Sequence, residues 1–420
     1  MPRQFFGTDG VRGVVGRDLT SELVERLGRA ASIWSGRGTI FIGRDTRASG
    51  PELEDALARG IASAGGNAIV AGVLPTPAVA LLTLDLGCVI TASHNPPEYN
   101  GVKFFDRDGQ KLTDAQEGEI EALLDSAPTG GGEIDEVGVA TDSYLEHVVE
   151  RFGSDLSGLR IGVDCANGAY AGLAPKALTE LGAEVTAIGN APDGTNINVA
   201  CGATDLRALQ QVVTANGLDL GVAFDGDGDR MLAVDANGDV VDGDQVVAML
   251  ALDRGVELVA VTSMANMGLH QLMAERGIRV VTTDVGDRYV LEALRREGGI
   301  LGGEQSGHLI WLDGHVTGDG LVAALLLCGA LRGRPLAEVA SVMPRYPQAK
   351  ENITVTVRRL TPAVEEEISR INAELGVDGR VLVRPSGTEP VIRVLAEAKT
   401  AREAELLCGR IATLVQRELG

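Results

Sequence analysis

Residues 224–230 read FDGDGDR, with Asp225, Asp227 and Asp229 at alternate positions and glycines between them. Alternate carboxylates on an extended loop can converge on one hard cation, and the glycines let the backbone fold tightly around it. Carboxylates packed this closely repel one another unless a cation neutralises them. The DxDxD start is shared with EF-hand loops, but the sixth position is Arg230, where glycine is required, and the twelfth is Ala236, where glutamate belongs. The flanks also read as strands, so the EF-hand alternative fails. Three carboxylates leave octahedral positions open, which suits Mg²⁺ that also binds a phosphate oxygen. The similar segment 235–239, DANGD, carries Asn-Gly between two strand-like runs and reads as a hairpin turn.

The second chemical segment is 91–105, TASHNPPEYNGVKFF. A strand ends there in small polar residues, and Pro96 with Pro97 excludes a helix immediately after Asn95. Ser93 is expected on a rigid, exposed loop at the carboxyl end of a parallel strand, where α/β sheets place their sites. His94 next to it raises a Ser/His hydrolase, but the G-x-S-x-G elbow is absent and sequence neighbours rarely have triad geometry. Lys103, following Asn100 and Gly101, would serve as a general acid or base if buried.

Three further loops have the chemistry of oxyanion or hydroxyl binders. FGTDGVRG (6–13) holds Arg12, which can grip a phosphate bidentately. GGEQSGH (302–308) offers Glu304 and Ser306 for sugar hydroxyls and His308 as a proton carrier. RPSGT (384–388), with Arg393 on the next strand, resembles a phosphate nest of hydroxyls, amides and guanidinium built from Arg384, Ser386, Gly387 and Thr388. Taken singly each could be an ordinary turn; their joint occurrence, one per expected domain, points to a phosphate-handling site.

The elements that must position these loops alternate. Residues 39–43 read as a strand, 51–64 as a helix, 67–72 as a strand, 76–84 as a helix and 87–91 as a strand, the βαβ rhythm of a parallel sheet. The rhythm restarts at 159–164, 184–188 and 218–224, and again at 258–262 and 278–283. The tail differs: 352–358 alternates as a strand, 362–375 reads as a helix, 380–384 and 391–396 as strands, and a last helix starts at Ala401. That pattern is a small α+β domain with an antiparallel sheet. The expected domains are 1–150 with the serine loop, 151–246 with the aspartate loop, 247–345 with the Glu304 loop and 346–420 with the Arg384 loop. No clear internal repeat accompanies them.

Bulk composition narrows the class. The 420 residues exceed one core, with 45% hydrophobic and 23% charged residues as in soluble globular chains. The net charge of −22 argues against a nucleic-acid or anionic-membrane surface, so any anion site must be built locally from arginines, amides or a metal. Only Lys103, Lys111, Lys176, Lys350 and Lys399 are lysines. The cysteines (Cys88, Cys165, Cys201, Cys328, Cys408) are scattered without a CxxC pair, indicating reduced, buried thiols. The start has no signal-peptide pattern. The longest apolar run, 321–330, is about ten residues against the roughly 20 needed to span a bilayer. A soluble, cytoplasmic protein is expected.

Together these segments resemble the α-D-phosphohexomutase superfamily, closest to its bacterial glucosamine branch. The resemblance runs through FFGTDGVRG (5–13), TASHNP (91–96), FDGDGDR (224–230), VGDRYV (285–290), GGEQSGH (302–308), RPSGTEP (384–390) and IRV (392–394). It implies an α/β fold of four domains arranged as a heart around a cleft: three related α/β domains and a smaller C-terminal α+β domain. It implies an isomerase of the intramolecular phosphotransferase kind, interconverting glucosamine 6-phosphate and glucosamine 1-phosphate through a phosphoserine and a bisphosphate, for amino-sugar nucleotide synthesis. Ser93 would carry the phosphoryl group and complete a Mg²⁺ shell with Asp225, Asp227 and Asp229. Arg12, Lys103 and His308 would assist proton transfer and charge stabilisation. Glu304 and Ser306 would hold sugar hydroxyls, and Arg384, Ser386, Gly387, Thr388 and Arg393 the distal phosphate. A homodimer is also implied.

Within the superfamily, Gln305 is similar to the glucosamine branch, whereas PPEYNGVK (96–103) looks more like phosphoglucomutases. Phosphoglucomutase or phosphomannomutase activity is the nearest alternative. A metal-dependent sugar phosphatase and a Ca²⁺ or sugar-phosphate binding protein are the readings outside the mutases.

Overall fold

The computed structural model describes residues 4–7, 9–357, 359–386 and 390–420. Two compact units result, one of Met1–Ser263 with Val281–Ala340 and one of Met264–Val280 with Ser341–Gly420.

The first unit contains three mixed sheets. In the first, β1 (Val11–Val14), β2 (Thr39–Arg44), β3 (Asn67–Val73), β4 (Leu86–Ile90), β5 (Tyr99–Asp106) and β6 (Ile134–Glu136) lie in the order β1-β5-β4-β2-β3-β6. Strands β4, β2, β3 and β6 are parallel, as the βαβ rhythm predicts. β4, LGCVI, is buried at every residue, the continuous apolar run of a central parallel strand. β5 departs from the expected parallel sheet and runs antiparallel to both its neighbours, with Val89 of β4 opposite Lys103 and Arg12 of β1 opposite Gly101. The reversal follows from the Pro96–Pro97 segment: Asn95 N–H closes on Ala92 and Tyr99 N–H on Pro96, turning the chain back along β4. Arg12 and Lys103, expected in loops, therefore sit on strands.

The second sheet runs β11-β10-β9-β7-β8, from β7 (Arg160–Asp164), β8 (Glu184–Ile188), β9 (Leu220–Phe224), β10 (Met231–Asp235) and β11 (Val240–Val241). β7 pairs in parallel with β8 and β9, whereas β9 and β10 are antiparallel and joined by the aspartate loop. The DANGD turn does join the antiparallel pair β10 and β11. The third sheet places β12 (Leu258–Thr262) parallel to β14 (Leu301–Gly303), which pairs antiparallel with β15 (Leu309–Trp311). Residues of β13 (Arg279–Thr283) complete its edge. The apolar run around 321–330 is a core helix, Gly320–Leu331, buried on nearly all sides and capped by Asp319. Among the described residues no helix is long and apolar enough to cross a membrane. All five cysteines are free and buried.

In the second unit, β16 (Gln348–Thr354), β17 (Gly379–Pro385) and β18 (Val391–Ala398) form an antiparallel sheet in the order β16-β18-β17. Helices Pro362–Leu375 and Ala401–Leu419 cover it through a core of Ile353, Val364, Ile371, Val394, Ile411 and Val415. The strand expected over 352–358 begins four residues earlier than its alternation suggests. Its partner β18 starts at Val391, opposite Thr354, so the ladder ends there and instead recruits the polar residues from Gln348 onward. Backbone pairing outweighs local pattern at this edge.

Candidate active site

Ser93 follows β4 in a left-handed backbone conformation (φ 49°) and is only 1% exposed, so the serine expected to be exposed is buried, while Pro96 and Glu98 further along the loop are exposed. A guanidinium holds it. Arg47, fully buried and paired with Asp45 at 2.9 Å, donates to the carbonyls of Ser93 (2.9 Å), Asn95 (2.8 Å), Tyr99 (2.9 Å) and Pro96. Asp45 also accepts from Thr91 Oγ1 at 2.7 Å, and Thr91 Oγ1 accepts the Ser93 N–H at 2.9 Å. Neither Asp45 nor Arg47 carries a sequence expectation; the available signal was GRDTR, charged residues directly after a buried strand. Arg47→Leu is expected to lose about 3–5 kcal/mol of stability, because it leaves the Asp45 carboxylate buried and unpaired. Urea denaturation monitored by circular dichroism reads the loss.

The aspartate loop comes up against this serine from β9. Asp225, Asp227 and Asp229 are buried, and one ligand atom from each lies within 4.8 Å of the others. Ser93 Oγ donates to Asp225 Oδ2 at 2.6 Å, while His94 Nδ1 stands 3.3 Å away. Three successive carbonyls of the loop are anchored by different segments: Gly226 by Ala169 N–H (2.9 Å), Asp227 by Thr76 N–H (2.8 Å) and Gly228 by Gly320 N–H (2.9 Å). Gly226 is required by a close approach, since a Cβ there would lie 2.7 Å from the Ser93 carbonyl.

The carboxylates are set up for a cation. Burial and then repulsion from Asp229 and Asp227 push the Asp225 carboxyl well above its ordinary range. Burial would also raise Asp229, but the nearby His308, with the charge of Lys103, holds it well below. Asp227 Oδ1 and Asp229 Oδ1 are buried with no hydrogen-bond partner among the described residues. Acceptor-only oxygens left unpaired and convergent in this way fit a hard divalent cation.

Cations from other segments ring the cluster. Lys103 Nζ, buried on β5, lies 3.0 Å from Asp227 and 3.3 Å from Asp9. Burial works against its charge, but Asp227 and Asp9 outweigh that and hold it above its ordinary value. Asp9 also pairs with Arg12 and, at 2.9 Å, with Lys111; Lys111 reaches Asp287 at 2.6 Å. His308 Nε2 is 3.4 Å from the same Asp287, and its Nδ1 is 3.8 Å from Asp229. Burial would lower His308, yet Asp287 and Asp229 together raise it. Asp9, Lys111 and Asp287 carry no expected role, although Asp9 and Asp287 lie inside FGTDGVRG and VGDRYV. Glu304 accepts from Gly286 N–H at 3.1 Å, and Ser306 Oγ lies 3.4 Å from it. The first unit thus brings together Ser93, Arg12, Lys103, the three aspartates and His308, with Glu304 and Ser306 in the loop ending at His308.

The remaining expected residues belong to the second unit. Arg384 on β17 stands directly opposite Arg393 on β18, and both line a cavity of about 340 Å³ with Lys350 and Asn352. Like charges facing each other across a ladder suit an anion between them. Ser386 is buried beside them, its N–H donating to Val391 at 2.9 Å. Gly387 and Thr388 lie outside the described residues.

Four family domains of phosphoglucomutase/phosphomannomutase match the chain in order: domain I over 3–129, domain II over 142–238, domain III over 242–346 and the C-terminal domain over 338–414. The chain belongs to the phosphoglucomutase/phosphomannomutase family. Three α/β domains and a C-terminal domain are that family's fold. Among relatives, the phosphoglucosamine mutase of Pelotomaculum thermopropionicum is 49% identical, covering 98% of each chain. That of Thermobifida fusca is also 49% identical, over 99% of each. Among solved structures, a phosphoglucomutase/phosphomannomutase family protein from Burkholderia thailandensis superposes with a TM-score of 0.86 at 26% identity, covering 99% of this chain and 98% of that one. The N-acetylphosphoglucosamine mutase of Aspergillus fumigatus, in complex with GlcNAc-6P and magnesium, shares the fold at a TM-score of 0.72 and 18% identity, covering 99% of this chain and 96% of that one.

Proposed function

We propose that the chain is a phosphoglucosamine mutase, an isomerase that interconverts glucosamine 6-phosphate and glucosamine 1-phosphate through phosphorylated Ser93 and a bisphosphate intermediate. The observation that carries the reading is the Ser93 hydroxyl, 2.6 Å from Asp225 at the edge of a buried carboxylate cluster with unpaired oxygens. The relatives named phosphoglucosamine mutase, 49% identical over nearly the whole chain, support the amino-sugar substrate.

Mg²⁺, bound by Asp225, Asp227, Asp229 and an oxygen of phosphorylated Ser93, would neutralise the phosphoryl charge during transfer. The chain's own residues supply the rest. Lys103 and Arg12 hold positive charge at the reacting face and, with His308, assist proton transfer to and from the sugar hydroxyl. Glu304 and Ser306 hold sugar hydroxyls. Arg384, Ser386, Gly387, Thr388 and Arg393 grip the phosphate that is not reacting. The bisphosphate must turn round between two transfers, which calls for a phosphate grip separate from the serine. Domains of 1–150, 151–246, 247–345 and 346–420 and a cytoplasmic location belong to the same proposal and rest on the sequence pattern, and a homodimer rests on the family resemblance.

Turnover compared on glucosamine, glucose and mannose 6-phosphates tests the substrate. The expected kcat/KM favours glucosamine 6-phosphate by about tenfold or more. Equal or better turnover of glucose or mannose phosphate would move the reading to a phosphoglucomutase/phosphomannomutase, towards which PPEYNGVK leans. Release of free phosphate as fast as substrate disappears would make the protein a phosphatase.

A further inference from the structure

Asp319 lies outside every motif that led to the site, yet it is among the most heavily engaged carboxylates in the first unit. It is 1% exposed. Its Oδ1 accepts from Tyr170 OH at 2.8 Å and from the N–H groups of Leu321 (2.8 Å) and Val322 (3.0 Å). Its Oδ2 accepts from Tyr144 OH at 2.7 Å and faces His315 Nε2 at 3.0 Å. The two tyrosine hydroxyls are themselves 2.6 Å apart. Burial pushes the Asp319 carboxyl up, but His315, the Val322 N–H and Tyr144 outweigh it and keep the group ionised.

Two of the objects that Asp319 fixes press on the aspartate loop. Tyr170 packs its ring 4.9 Å from Phe224, the residue before Asp225, and a Cβ on Gly228 would come within 2.4 Å of that ring. The ring therefore fills the space directly against the residue between Asp227 and Asp229. Gly320, next after Asp319, donates its N–H to the Gly228 carbonyl at 2.9 Å. A Cβ on Gly320 would lie 2.6 Å from the Arg230 carbonyl and 2.9 Å from that of Gly228, so helix start and loop are in backbone contact. Gly228 itself adopts φ 80°, a left-handed conformation that glycine tolerates and the contacts on both sides maintain.

We infer that Asp319 is a positioning residue for the metal-binding loop, acting through the Tyr170 ring and the Gly320 amide to keep the carboxylates of Asp227 and Asp229 convergent. This rests on the proposal that the three aspartates hold a divalent cation. Outer partners of a metal site tune affinity by fixing ligand orientation, and here the fixed object is the peptide between two ligands.

Mn²⁺ titration of the full-length chain, followed by electron paramagnetic resonance well below the melting temperature, tests the inference alongside calorimetric Tm. Asp319→Asn removes the charge and one acceptor; Tyr170→Phe keeps the ring and removes its tether. Each is expected to weaken Mn²⁺ binding, Asp319→Asn by about tenfold and Tyr170→Phe by less. Should Asp319→Asn not fold, Tyr170→Phe decides alone. A Kd within twofold of the unsubstituted chain in every folded variant, whatever happens to Tm, overturns the inference and leaves Asp319 a scaffold residue. Absence of Mn²⁺ binding in the unsubstituted chain overturns the metal reading itself, and the inference with it.

Discussion

Ser93→Ala is expected to cut isomerisation by on the order of 10⁴-fold or more, because it deletes the atom that carries the phosphoryl group. A loss of that size corresponds to about 5 kcal/mol of transition-state stabilisation. Stability should fall by about 1–3 kcal/mol, because the buried Asp225 loses the Ser93 donor. The loop itself should hold, since alanine keeps the Arg47 bonds to its main-chain carbonyls. Two readouts separate chemistry from folding: ³¹P NMR of the sugar phosphates, and intact mass, in which the increment of one phosphoryl group should be absent from the variant. Full turnover by Ser93→Ala would sink the phosphoserine mechanism outright.

Chelation is expected to have the second largest effect, with a stability signature that changes sign on mutation. Excess EDTA should lower turnover by on the order of 10³-fold, restored by Mg²⁺. Saturating cation at about a hundred times its Kd should add about 2.7 kcal/mol to the folded chain. Without cation, three buried carboxylates face one another, and Asp225 bears the cost through burial and the charges of Asp229 and Asp227. Asp225→Asn removes one of these charges and keeps an acceptor for Ser93. The variant should therefore melt above the unsubstituted chain in EDTA and below it in Mg²⁺. Melting curves that keep the same order in both buffers would show that the cluster does not bind a cation.

The parts of the site that were legible are those whose chemistry is concentrated in a few consecutive residues. FDGDGDR presents three candidate ligands within one loop, and its glycines announce a close backbone approach, which at Gly226 is the Ser93 carbonyl. The prolines after Ser93 announce a turn, although not that the turn reverses the chain into β5. That reversal carries Lys103 onto a strand beside β4 and within 3.0 Å of Asp227. The partners that were not legible are single residues in unremarkable surroundings. Arg47 matters because its guanidinium collects four carbonyls from the serine loop, and Lys111 because it spans Asp9 and Asp287. Such pairings join positions far apart in the chain, and no local pattern encodes them.

By itself the sequence determined the kind of chemistry, the α/β alternation and the antiparallel tail, since spacing of carboxylates, turn residues and apolar periodicity are local properties. Tertiary structure alone decided that Ser93 is buried and that Asp225 receives its hydroxyl. It also decided that the start of β16 is chosen by the length of β18 rather than by its own alternation. Burial, charge coupling and strand pairing depend on which distant segments meet. For that reason the aspartates stand out as candidate ligands from their order in the chain, whereas the charges that surround them became visible only in the folded molecule.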